Sequence, residues 1–68
     1  MQVLTKQGDI VTFRGQELTY LSCVKLDDNA IHVYFETQIT LFFANDTELN
    51  GVVYPNSDEL INAFNSSS

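Results

Sequence analysis

The chain has almost no basic residues: Lys6, Arg14 and Lys25 stand singly against nine acidic side chains, for a net charge of −6. No basic patch exists to neutralise a phosphate backbone, so direct binding to nucleic acid or to an anionic membrane is disfavoured. Cys23 is the only cysteine and His32 the only histidine. An intrachain disulfide is therefore impossible, and a thiolate or imidazole zinc site lacks its ligands. The longest uninterrupted apolar run is Leu41-Phe42-Phe43-Ala44, far short of the ~20 residues that span a bilayer as a helix. The first residues carry no basic segment followed by an apolar core of about 7–15 residues, so no signal peptide is expected. With an unpaired cysteine, this leads to an expectation of synthesis in a reducing cytoplasm, with incorporation into a larger particle left open.

Glycine and proline are scarce too, and their few positions punctuate short extended runs. Val3–Thr5 and Ile10–Phe13 flank a turn at Lys6-Gln7-Gly8-Asp9, which reads as a hairpin. After a break at Arg14-Gly15-Gln16, Glu17–Leu26 is the longest β candidate, rich in β-branched and aromatic residues. Simple alternation puts Leu18, Tyr20, Val24 and Leu26 on one face and Leu21 and Cys23 on the other. Asp27-Asp28-Asn29-Ala30 is a turn. Ile31–Phe35 and Ile39–Phe43 form the arms of a second hairpin around Glu36-Thr37-Gln38. Ile31, Val33, Phe35, Ile39, Leu41 and Phe43 are then expected to face the core, with Tyr34 and Phe42 outward and paired across the strands.

Asn45–Gly51 reads as a polar loop and Val52-Val53-Tyr54 as a last short strand stopped by Pro55. Asn56 or Ser57 caps a helix of about eight residues. Glu59 completes a capping box, and Leu60, Ile61 and Phe64 share one side. The expected fold is mainly β, a small antiparallel sheet or partly open barrel of about five to six short strands, with one short C-terminal helix. Residues 1–64 form a single domain and residues 65–68 a frayed tail.

Candidate chemistry is thin. Asp46-Thr47-Glu48-Leu49-Asn50-Gly51 resembles the start of a calcium loop, but its twelfth position is Ser57, where a bidentate Glu is wanted. A polar loop entering a strand through Asn50-Gly51 explains the same residues. Cys23 and His32 have no glycine-rich elbow or oxyanion loop beside them. Asp27/Asp28 and Asp58/Glu59 are adjacent pairs whose side chains diverge, and turn formation and capping account for both. No catalytic, cofactor or metal residues are therefore expected, and the chain is not expected to be an enzyme.

Asn50-Gly51-Val52-Val53-Tyr54, Ser57-Asp58-Glu59-Leu60 and Ala63-Phe64 resemble the end of small tailed-bacteriophage structural proteins, where such a strand leads into a short helix. The likeness is confined to residues 46–64. It implies a virion component, such as a capsid decoration, head–tail connector or fibre-associated subunit, with no catalytic residues. Independently of it, one short helix cannot cover a sheet that is apolar on two faces, and a chain this small gains stability from partners. Leu21, Tyr34 and Phe42 are the expected interface residues, the partner being a protein or a second copy. The competing reading is an acidic inhibitor or nucleic-acid mimic that occupies a basic groove on a host protein.

Overall fold

A computed structural model describes residues 1–68. Seven strands form one sheet: β1 (Gln2–Gln7), β2 (Ile10–Phe13), β3 (Gln16–Lys25), β4 (Ala30–Phe35), β5 (Ile39–Phe43), β6 (Thr47–Leu49) and β7 (Val52–Val53), followed by helix α1 (Ser57–Ser66). Their spatial order is β5-β4-β3-β2-β1-β6-β7, and the sheet is not closed, because β5 and β7 lie at its two ends. All neighbours are antiparallel except β1 and β6, which run parallel with Gln2 opposite Thr47 and Leu4 opposite Leu49. The sheet thus has one strand more than the upper end of the expected range, and it is not wholly antiparallel.

The extra strand is β6, which lies in the stretch read as a polar loop. A 3-10 turn over Ala44–Asp46 follows β5, and Thr47–Leu49 then lies alongside β1. Thr47 is fully buried there, its hydroxyl donating to the Phe43 carbonyl at 2.7 Å. Three residues are too short a run for alternation to stand out in a sequence. Two-residue loops with both residues at positive φ, Arg14-Gly15 and Asn50-Gly51, close the β2–β3 and β6–β7 hairpins, the backbone twist that tight hairpins prefer. Asn50 also extends the β1–β6 pairing through its side chain: Oδ1 accepts from the Lys6 amide at 2.8 Å and Nδ2 donates to the Lys6 carbonyl at 3.3 Å.

Two corrections concern which way side chains point. In β3 the pairing register with β4 shifts between Tyr20 and Ser22, so Leu21 is an extra, bulged residue. A bulge swaps the face of everything beyond it. Tyr20 and Cys23 consequently pack against the same core, whereas Val24 and Leu26 are exposed instead of continuing the face of Leu18. In the β4–β5 hairpin the Phe35 amide donates to the Gln38 carbonyl at 2.8 Å, and Tyr34 sits opposite Ile39. The loop is therefore Glu36-Thr37 alone. A two-residue loop pairs odd positions with even ones, so Phe42 joins Ile31 on the core side and Ile39, Leu41 and Phe43 turn outward.

The core is one cluster that includes Leu4, Val11, Phe13, Ile31, Val33, Phe42 and Leu49, with Leu60 and Phe64 of α1 as its lid. Phe13 and Phe42 meet edge to face across it, ring centroids 5.2 Å apart. The N-cap forms as expected, Asn56 Oδ1 accepting from the Glu59 amide at 3.0 Å, while the Glu59 carboxylate meets the Asn56 side-chain amide at 3.5 Å in place of its backbone N–H. Asn56→Ala is expected to lower stability by about 1 kcal/mol, read as a shift in urea midpoint with unchanged slope. At the other end the helix outlasts the expected boundary. Asn65 and Ser66 are helical, and the Ser67 carbonyl accepts from Lys6 Nζ at 2.7 Å.

Candidate interaction surface

The outer face of the β3–β4–β5 end follows directly from the register. Two cross-strand rows point away from the core: Ser22, Tyr34 and Ile39, then Val24, His32 and Leu41. Phe43 continues the line opposite Ala30. Along β5 the exposures of Ile39, Leu41 and Phe43 are 61%, 47% and 44%, against 1% for Phe42 between them. The rings of His32 and Tyr34 lie 6.5 Å apart in the middle of the face. Val24, partly exposed as well, borders it on the β3 side. No helix or loop covers these side chains, because α1 packs on the opposite side, against the core residues of β3, β4 and β6.

Of the three residues expected to form an interface, only Tyr34 belongs to this face. Phe42 is a core residue; the two-residue loop removed it from the surface. Leu21 is 60% exposed but lies elsewhere, where the bulge carries it to a shallow hollow beside Lys6, Tyr20 and Asn65 at the end of α1. The β5 residues Ile39, Leu41 and Phe43 take their place. Counting Glu36-Thr37 as a two-residue loop is the reading of the sequence that finds them.

The remaining polar candidates are committed to structure. Cys23 sits opposite Val33 on the core face of the sheet, while His32 sits opposite Val24 on the outer face, so the sheet separates them. Burial raises the Cys23 thiol above its ordinary pKa, the reverse of what a nucleophile requires. Cys23 Sγ lies 3.2 Å from the Tyr20 hydroxyl, whose proton goes to Asn65 Oδ1 at 2.6 Å. In the supposed calcium loop, Thr47 is buried, Asn50 bonds to β1, and Asp46 faces the N-terminal ammonium at 3.4 Å. Those oxygens do not converge on a common point.

Asp27 holds its turn by accepting from the amides of Asn29 and Ala30, both at 2.8 Å, and these bonds lower its pKa. Asp28 and Asp58 flank Lys25 at 3.6 and 3.2 Å, tying the end of β3 to the start of α1. The Asp58 carboxylate holds the Lys25 ammonium above its usual range. With the Asp46 carboxylate facing the N-terminal ammonium and the Glu59 carboxylate meeting Asn56 Nδ2 at 3.5 Å, no free carboxylate row of the kind a nucleic-acid mimic presents is assembled from them.

The geometry defines a mainly β domain, one open seven-stranded sheet lidded by a single helix, with a bare apolar outer face at one end. No protein-family model, curated protein or solved structure matches the chain. No helix is long and apolar enough to cross a membrane.

Proposed function

We propose that the protein is a non-catalytic structural module that acts by association, with its own kind or docked on a larger assembly. The observation that carries this reading is the outer face of the β3–β4–β5 end. Three large apolar side chains of β5 stand uncovered there beside Tyr34 and Val24. Contiguous apolar surface on a small domain marks an interaction site more often than it marks tolerated exposure. We place the module in a bacteriophage particle, as a capsid decoration, head–tail connector or fibre-associated subunit. That assignment rests on the resemblance of Asp46–Phe64 to the ends of such proteins.

The test is size-exclusion chromatography with light scattering, from about 1 to about 500 µM, alongside thermal melts at the same concentrations. Mass and melting temperature are both expected to rise with concentration. A monomer at every concentration that nevertheless melts above ~60 °C would overturn the proposal, since such a domain needs no partner.

A further inference from the structure

We infer that the occupant of this face is a second copy of the chain, paired antiparallel with β5 about a two-fold axis at Leu41. The inference rests on the association reading and deepens it by naming the partner. Its first support is the hydrogen-bonding pattern of β5. The Phe35 amide donates to the Gln38 carbonyl and the Ala44 amide to the Asn29 carbonyl, which fixes the alternation of the ladder. Thr40 and Phe42 bond inward to β4, so Ile39, Leu41 and Phe43 direct their backbone groups to the open edge. The same three residues carry the exposed apolar side chains. Edge and face are thus one surface.

A two-fold at Leu41 makes that surface self-complementary. Leu41 meets the second copy's Leu41, and each Ile39 meets a Phe43, a β-branched and aromatic pairing that stabilises antiparallel ladders. The dyad adds about four backbone hydrogen bonds, two between the leucines and one from each Phe43 amide to an Ile39 carbonyl. The Phe43 carbonyl already accepts from Thr47. The two outer faces merge into one apolar strip.

Charge and edge protection select this partner and this edge. Thr37–Asn45 contains no charged residue in a chain of net charge −6, so two copies meet here without opposing carboxylates along the paired strands. Exposed edges are ordinarily guarded by a lysine, a proline, a bulge or extreme shortness. The far edge is guarded: β7 is two residues long and is followed at once by Tyr54 and Pro55, which has no amide to donate. β5 carries none of these guards. One open edge and one guarded edge favour a closed dimer over a head-to-tail chain. The strip is smaller than a standard interface, so dissociation in the range of about 10–100 µM is expected.

The experiment compares the wild type with Leu41→Lys and, at the guarded edge, Val53→Lys, by sedimentation equilibrium up to about 500 µM. Circular dichroism checks that each is folded, both sites being exposed. Leu41→Lys sets two ammonium groups face to face on the dyad and is expected to weaken the dimer at least ~100-fold, whereas Val53→Lys leaves it intact. In a Cys23→Ser background, Leu41→Cys is expected to cross-link to itself on mild oxidation, because directly paired Cα atoms lie ~5.5 Å apart. Association that survives Leu41→Lys would overturn the β5 dyad while leaving the association reading standing. Masses growing beyond a dimer and lost in Val53→Lys would replace it with head-to-tail chains. A monomeric wild type overturns the dimer, and its melting temperature then decides the broader reading.

Discussion

Phe42→Ala is expected to destabilise the fold by about 3–5 kcal/mol, whereas Phe43→Ala, one residue along, shifts it by no more than about 0.5 kcal/mol. The contrast follows from which side of β5 each ring occupies. Phe42 is 1% exposed and packs edge to face on Phe13, so removing it deletes buried ring surface and opens a cavity where β2 and β5 meet. Phe43 keeps 44% of its surface in solvent and is not a member of the core cluster. Small domains sit at the low end of the usual 5–15 kcal/mol of stability, so the first substitution is expected to leave much of the protein unfolded. Urea titration below about 5 µM, where association does not contribute, measures both. Equal effects, or the reverse order, would mean that β5 faces the other way.

That pair of residues also shows how much of the fold is legible in the sequence. The strands β1 to β5, the cap at Asn56 and the lid residues Leu60 and Phe64 are all readable from turn residues, β-branched runs and the helical spacing near the end. Which face each strand presents is a subtler quantity, because it depends on single residues. One residue more or less in the β4–β5 loop exchanges Phe42 with Phe43, and both are phenylalanine, so composition is silent on the choice. Leu21 does the same within β3: a single unpaired residue reverses the roles of Cys23 and Val24, and a bulge has no compositional mark when it falls on leucine.

The candidate surface was legible in outline for the same reason. A surplus of apolar side chains over what one helix covers is visible by counting, and it survives every change of parity, since flipping a strand moves apolar residues without removing them. Tyr34 kept its place because β4 is anchored by buried Ile31 and Val33 on the other face. Leu21 and Phe42 lost theirs to the bulge and the loop. The hydrogen-bonding direction of β5, on which the dimer depends, follows from the same two-residue loop. The parallel seam between β1 and β6, residues more than 40 apart, is set by tertiary pairing, and no local pattern encodes it.

Phe64→Ala is expected to cost a comparable amount, about 3–5 kcal/mol, and to leave a second signature in the titration of Tyr20. Phe64 is fully buried and stacks on Tyr20, ring centroids 5.5 Å apart and planes 11° from parallel. The same tyrosine donates to Asn65, and Lys6, itself only 6% exposed, places its ammonium 5.1 Å from the ring while holding the Ser67 carbonyl. A cation at the carboxyl end of a helix is favoured by the helix dipole, so this cluster anchors the lid to β1 and β3 together. Burial, reinforced by the Cys23 thiol, raises the Tyr20 phenol far above its ordinary pKa. A group whose folded pKa is raised stabilises the fold fully below its unfolded value, about 10, and loses that contribution as pH climbs beyond it. The wild type is therefore expected to lose stability above about pH 10, with Tyr20 ionising only as the lid opens. In Phe64→Ala the ring is wetted and the phenol returns toward its ordinary pKa, so ultraviolet titration of the folded fraction shows Tyr20 ionising near the value of a free phenol, about 10. A Tyr20 that still resists ionisation in the folded variant would mean that Asn65 and Lys6 hold the lid down without Phe64.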